Sequence, residues 1–574
     1  MNRRELLKLA GLTTAGAALS GPLLAEQQTE APAVRPRRRG KPNILLIVTD
    51  QERSFQDLPD ELPLPGHEQL VAQGVTLANY HANTTPCSPS RSVMYTGQHT
   101  QKTLIVANHG LPPFNDLSTD LPTLGHMLRE QGYTTAYKGK WHLSHVPGDS
   151  NLTYGVVETN EKVLEPYGFG DYNLGGDPHG SHLTGYLYDR LTASDAARWL
   201  HEHRDDEAPW MLAVNFVNPH DVMFYSANAE QERSRLRSNF LGPMSPGPMG
   251  GVYDRFWDLP LPRSFHADDL SDKPWVQHAD VQLCNAFYGR LAPEDEAAWK
   301  GLQSYYFNCI RDVDQSILQV LDALRSTGLD EDIIVVLTAD HGEMAGAHRL
   351  RQKGPHMYRE NTRVNFIVRH PDLRGGVSRD ALGSSVDLVP TLLEFAGVTP
   401  AQQRERYPQR AGVSLCESLG GASGRSERDQ LGHLFNYGVA MYIDPEFTVQ
   451  VIRNQDQVTP WSVLSEALKN FQLGPSRANR ALFRGVHDGR YKFARYFAPH
   501  DHHIPEDFEN LVGRNDLELY DTHEDPDELN NLARDPQAHR ELLLRLNAQT
   551  NALIRREIGT DDGSEHIGPT FLYS

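Results

Sequence analysis

Cysteine is scarce in this chain: Cys87, Cys284, Cys309 and Cys416 are the only four in 574 residues. A disulfide-stapled scaffold is thereby excluded, and each thiol needs its own explanation, which for three of them is packing as a small hydrophobe. Positive charge is also short. The 55 Lys+Arg against 75 Asp+Glu leave a net charge of −20 with neutral His, which argues against nucleic acid as a partner, because binding it takes basic surface. Long apolar runs are missing, so a multi-span membrane protein is excluded. What remains is 39% hydrophobic and 23% charged, an ordinary globular composition on a chain long enough to bury a large core.

Residues 1–25 place Arg3 and Arg4 before a mildly apolar stretch of Ala, Gly and Leu that ends at Ala25. Gly, Thr and Ser dilute that stretch below what a stable membrane span needs. It resembles a twin-arginine signal peptide, which implies the Tat export machinery as a partner and a periplasmic or extracellular location. Residues 26–41 mix Pro with Arg and lack apolar periodicity, as a solvated basic linker does.

From Asn43 to Thr49 the chain is a continuous β-branched run ending in Asp50, the pattern of a strand buried on both faces of a parallel sheet. Similar runs occupy Trp210 to Val217, Ile333 to Thr338 and Phe366 to Arg369. Between them, Asp120 to Gln131 and Asn308 to Arg325 carry helical spacing. The alternation predicts an α/β sandwich around a large, mostly parallel sheet flanked by helices. Polar groups follow three of the strands at once (Asp50-Gln51, Asn218-Pro-His220, Asp340-His341), and ligands bind at such carboxyl ends. Apolar density falls between Leu415 and Asn436, which divides the chain into a large domain over 42–430 and a C-terminal α+β subdomain over 431–574. The second is predicted to hold a short antiparallel sheet, with a hairpin turning at Asp488-Gly489, a strand at Leu517 to Asp521 and a closing helix over Gln537 to Ile554.

The segment Cys87-Ser-Pro-Ser-Arg91 follows a Thr-Thr-Pro turn. Its C-x-P-x-R spacing resembles the formylglycine-dependent sulfatases, alkaline-phosphatase-like enzymes in which that Cys is oxidised after translation. Further motifs stand in the family's order: Pro42 to Asp50, Lys140-Trp-His142, Pro219-His220, Asp340-His341-Gly-Glu343 and Lys353. The likeness extends to Gly489 to Phe493 and Glu518 to Asp521 in the C-terminal part.

The resemblance implies a sulfuric ester hydrolase. Sulfate monoester cleavage needs a nucleophile, positive charge on the sulfate oxygens and an acid for the leaving group. Formylglycine from Cys87, installed by a maturation enzyme, would be hydrated to a diol; one hydroxyl attacks sulfur and the other later expels sulfate by re-forming the aldehyde. Asp50, Gln51, Asp340, His341 and modified Cys87 would hold one divalent ion, calcium by resemblance. Many members carry two acids where this chain has Asp50-Gln51, so the site has one negative charge fewer. Arg91, Lys140 and Lys353 would cradle the sulfate, His142 would act as base, and His220 with Lys353 would protonate the leaving oxygen.

Two other readings stand beside this one. Phosphonate monoester and phosphodiester hydrolases share the Cys motif and tend to show Asp-Gln and Asp-His-Gly-Glu-Met, whereas the charged Lys140 and His142 favour sulfate. In a non-catalytic anion-binding relative Cys87 would stay a thiol. His179, His182 and His500 to His503 read as loop and surface residues. Tyr225, Tyr253, Phe256, Trp257 and Trp275, in the long segment Asp221 to Arg290, read as loop packing or as the lining of a cleft for a sulfated small molecule or carbohydrate.

Overall fold

The computed structural model describes residues 40–111, 115–146, 162–172, 174–236, 242–453 and 478–566. The expected signal peptide and the linker up to residue 39 lie outside the described residues. Among those described, no helix is long and apolar enough to cross a membrane.

Seven strands form the main sheet: β1 (Asn43–Asp50), β2 (Val75–His81), β3 (Thr134–Gly139), β4 (Trp210–Pro219), β5 (Ile333–Ala339), β6 (Phe366–Arg369) and β7 (Val377–Ser384). They lie in the order β3-β4-β1-β5-β6-β2-β7. All neighbours pair in parallel except that β6 runs antiparallel to both β5 and β2. This is the mostly parallel α/β sandwich expected, with one reversed strand.

The continuous apolar runs are explained by burial on both faces. In β1, Leu45 and Ile47 pack on the side of the helices Thr184–Glu202 and Glu296–Ser326, where Trp199, Ile310, Val313 and Ile317 meet them. Ile44, Leu46 and Val48 face the opposite layer, with Leu124, Leu128, Leu388 and Leu392. β4 and β5 divide in the same way, so each side chain stabilises one of two cores by roughly 1.5–3 kcal/mol.

Three helices differ from expectation in length, the closing one by beginning at Arg540 rather than Gln537. The pattern over Asp120 to Gln131 shortens to Leu124–Arg129, because Pro122 disfavours helical backbone at Leu121 and Thr123 caps the helix by accepting from the His126 N–H. The long helix instead begins upstream, at Glu296, where the side chain of Asp295 accepts from the Ala298 N–H.

Four further strands, β8 (His433–Tyr437), β9 (Leu482–His487), β10 (Tyr491–Phe497) and β11 (Asp516–Asp521), form an antiparallel sheet in the order β11-β10-β9-β8. The β9–β10 turn closes at Asp488-Gly489-Arg490. Gly489 sits at φ +98, and the Asp488 carboxylate accepts from the N–H groups of Arg490 and Tyr491. The helix Arg540–Leu553 lays Leu543, Leu546 and Leu553 on Leu434, Val486, Phe493 and Leu519. The two sheets meet where Asn83 donates to the Leu434 carbonyl and accepts from the Asn436 N–H.

Candidate active site

Four neighbouring strands, β3, β4, β1 and β5, end on one edge of the sheet, and the polar residues that follow them converge there. Asp50 is the last residue of β1, Lys140 and His142 follow β3, His220 follows β4, and Asp340-His341 follow β5. Cys87 is the first residue of a helix, Cys87–Thr96, in which every residue is buried. Its side chain thus lies where unsatisfied N–H groups and the helix dipole favour negative charge.

At the centre, His341 Nε2 lies 3.3 Å from the Cys87 sulfur, and Asp50 Oδ1 lies 3.6 Å from it. Asp340 accepts from the N–H groups of Gln51 and His341 through Oδ1 and from Arg91 Nε, at 2.9 Å, through Oδ2. Arg91 also donates to the Lys140 carbonyl and to Asn215 Oδ1, with its other nitrogen 3.6 Å from Asp50. Lys140 Nζ pairs with Asp50, and Lys353 Nζ donates to Gln51 Oε1. The guanidinium expected on sulfate therefore spans the two carboxylates.

Charges of both signs meet in this buried cluster. Burial raises the Asp50 carboxyl, but Lys140, His220, Arg91 and Lys353 together hold it well below the usual carboxylate range. Burial and Asp50 push the Cys87 thiol up, and Lys140, Lys353 and His341 outweigh them, so it is lowered. The other three thiols are raised by burial, Cys416 to about 12. Cys87 is thus the only one of the four in a thiolate-favouring environment. Burial, with Lys140 and the neighbouring His179, holds His142 well below the ordinary value, and burial with Lys353 and Lys140 does the same to His220. Both imidazoles are neutral at neutral pH. Each leaves a buried Nδ1 without a hydrogen-bond partner among the described residues.

Asp50, Cys87, Asp340 and His341 offer ligand atoms that all lie within 4.8 Å of one another. Two fully buried carboxylates, an imidazole and a fourth donor suit one divalent cation, whose charge offsets the cost of burying the carboxylates. The Gln51 side chain, expected among the metal ligands, stands beside this set with its amide oxygen on Lys353 and its nitrogen on Glu343. Gln51, at φ +69, and His142, at φ +58, hold left-handed backbone, at about 1–3 kcal/mol each.

Several participants were not legible as such. Asn215 fixes Arg91 and accepts from Tyr95 Oη at 2.7 Å; an Asn inside the apolar run of β4 was its signal. Asp177 receives the Trp141 and His142 N–H groups. His179, expected as a surface residue, is half-buried, its ring stacked 5.4 Å from that of His142. By contrast, three aromatics of the long segment pack on the helix Glu296–Ser326: Tyr225 stacks on Tyr305, Tyr253 donates to Asp312 and Trp257 to Asn308. Phe256 and Trp275 alone of that group are exposed.

Comparison with known proteins bears on the family of the chain. The chain is 26% identical, over 87% of its length and 85% of the relative's, to a Delta 4,5-hexuronate-2-O-sulfatase of Bacteroides thetaiotaomicron. It is 26% identical to a choline-sulfatase of Rhizobium meliloti, covering 67% of this chain and 72% of that one. The crystal structure of a phosphonate monoester hydrolase of Agrobacterium radiobacter shares the fold, with a TM-score of 0.60 at 18% identity over 90% of this chain and 96% of that one. Residues 42–398, which carry every one of the converging groups, match the Sulfatase family model, and the chain belongs to the sulfatase family.

Proposed function

We propose that this sulfatase hydrolyses a sulfate monoester of a small molecule or carbohydrate, using Cys87 matured to formylglycine and one divalent ion, calcium, held by Asp50, Asp340, His341 and position 87, with Gln51 beside them. The observation that carries this reading is the gathering of Arg91, Lys140 and Lys353 on Asp50 and Gln51, with Asp50 itself beside the buried Cys87 sulfur. A sulfate monoester brings negative oxygens to that point, and fixed positive charge in a water-poor site is worth most as charge develops.

When bound, the matured residue supplies a nucleophile and the ion polarises a sulfate oxygen. The remaining work falls to the chain. Arg91 holds Asp340 and Asp50 in register. Lys140 and Lys353 orient the sulfate. His142, neutral and with an Nδ1 unpartnered among the described residues, takes the proton of the hydroxyl that expels sulfate as the aldehyde re-forms. On the leaving side Lys353 supplies the charged donor, and neutral His220 relays the proton to the departing oxygen. We further propose a large domain over 42–430 and a C-terminal subdomain over 431–574, and twin-arginine export after maturation and metal loading.

The test is turnover of an aryl sulfate against an aryl phosphodiester by the mature enzyme. A large preference for sulfate is expected. A large preference for the diester would move the chain to the phosphonate monoester and phosphodiester branch, toward which Asp50-Gln51 leans.

A further inference from the structure

Glu343 is fully buried two residues beyond His341 and touches neither Cys87 nor Asp50 through any hydrogen bond. Its Oε1 accepts from the N–H groups of Ala345, at 2.8 Å, and Gln352, at 2.7 Å, which pins the start of the Lys353 segment to the Asp340-His341 loop. Its Oε2 accepts from Gln51 Nε2. On the far side of the same amide, Gln51 Oε1 accepts from Lys353 Nζ.

A carboxamide has two unlike ends, an acceptor oxygen and a donor NH2. Here one end meets a carboxylate and the other an ammonium. Only one of its two orientations satisfies both neighbours: NH2 toward Glu343 and oxygen toward Lys353. The reverse sets oxygen against carboxylate and NH2 against ammonium, and breaks the buried hydrogen bonds with Glu343, Gln352 and Lys353 at once.

We propose that Glu343 is a positioning residue for sulfate binding: by fixing the sense of the Gln51 amide it turns the amide oxygen toward Lys353 and holds that ammonium in the anion cradle. This rests on the cradle role of Lys353 given above. Glu343 polarises the neutral Gln51, which serves as acceptor for the lysine.

The relay is tested by exchanging its charge. In Glu343→Gln the new carboxamide keeps its oxygen on the Ala345 and Gln352 N–H groups and turns its NH2 toward Gln51, which must flip and present its own NH2 to Lys353. In Gln51→Glu two carboxylates face each other. In the double variant Gln51→Glu/Glu343→Gln, the amide donates to the carboxylate and the carboxylate accepts from Lys353, with the total charge unchanged. Each variant is checked for folding by circular dichroism. It is then measured for inorganic sulfate affinity by calorimetry, for kcat and KM on an aryl sulfate, and by crystallography for the contact of Lys353 with residue 51.

Each single variant is expected to lower kcat/KM and weaken sulfate binding by about 10²-fold, and the double variant to recover most of both losses. Additive losses in the double variant, or Lys353 still bound to an unflipped Gln51 in Glu343→Gln, would overturn the relay. Should Glu343→Gln fail to fold, the double variant against Gln51→Glu carries the same comparison. Failure of the sulfatase reading shows separately, as a wild type that prefers the diester, while the Lys353 contact in the variant crystals still decides the relay.

Discussion

His341 Nε2 lies 3.3 Å from the Cys87 sulfur, which places an imidazole from the end of β5 against the first residue of a buried helix. With Asp50 and Asp340 close by, the four donors lie within 4.8 Å of one another, near enough to hold one cation. Chelation should therefore lower the melting temperature of the purified enzyme and abolish turnover, and calcium should restore both. An ion present at a hundred times its dissociation constant stabilises the fold by about 2.7 kcal/mol. Scanning fluorimetry with and without chelator measures this, and Asp340→Asn should erase most of the metal-dependent shift.

Gly180 packs against the ring of His220. A Cβ there would lie 2.5 Å from His220 Cε1 and 2.7 Å from Nδ1, on backbone at φ +106 that side chains rarely adopt. Gly180→Ala should displace the imidazole and lower kcat/KM by about 10²-fold in a protein that remains folded by circular dichroism. Unchanged kinetics would remove His220 from the leaving side.

His81, His433 and His487 form a second, buried group, with the ring of His81 5.3 Å from that of His433 and 5.1 Å from that of His487. Burial depresses all three; neighbouring imidazoles add to it for His81 and His433, and Lys492 adds to it for His487, which is lowered to about 3. The unfolded chain binds protons near pH 6.5 that the folded one refuses, so stability is full above 6.5 and is lost as pH falls toward 3. Each histidine contributes up to about 1.4 kcal/mol per pH unit in that window. Urea midpoints between pH 8 and pH 5 should fall accordingly, and less steeply in His487→Gln.

Arg428 is buried between Asp387, which it grips through two nitrogens at 2.9 and 2.7 Å, and Glu557 at 2.6 Å. Glu557 in turn pairs with His99 at 2.7 Å. Arg428→Met would leave two carboxylates without their cation, at a cost of about 3–5 kcal/mol. Equilibrium urea unfolding measures the loss.

Strands β1, β4, β5 and β6 were legible because burial on both faces produces apolar runs such as Ile44 to Val48, whereas β2, β3 and β7, interrupted by residues such as Asn79, Lys138 and Asp380, were not. The converging residues were legible through family motifs, Cys87 to Arg91 above all, since no local pattern in an isolated Lys140 or His220 marks it as buried. What escaped was long-range. The reversal of β6 depends on which edge its connection reaches, and the approach of His179 to His142 depends on a loop without periodicity. The Glu343 to Gln51 contact joins residues 292 positions apart.

The state of Cys87 tests the central claim most directly. Mass spectrometry of the peptide bearing Cys87, from enzyme made in its native host, should show the thiol converted to the aldehyde. A fully unmodified thiol in active enzyme would contradict the mechanism.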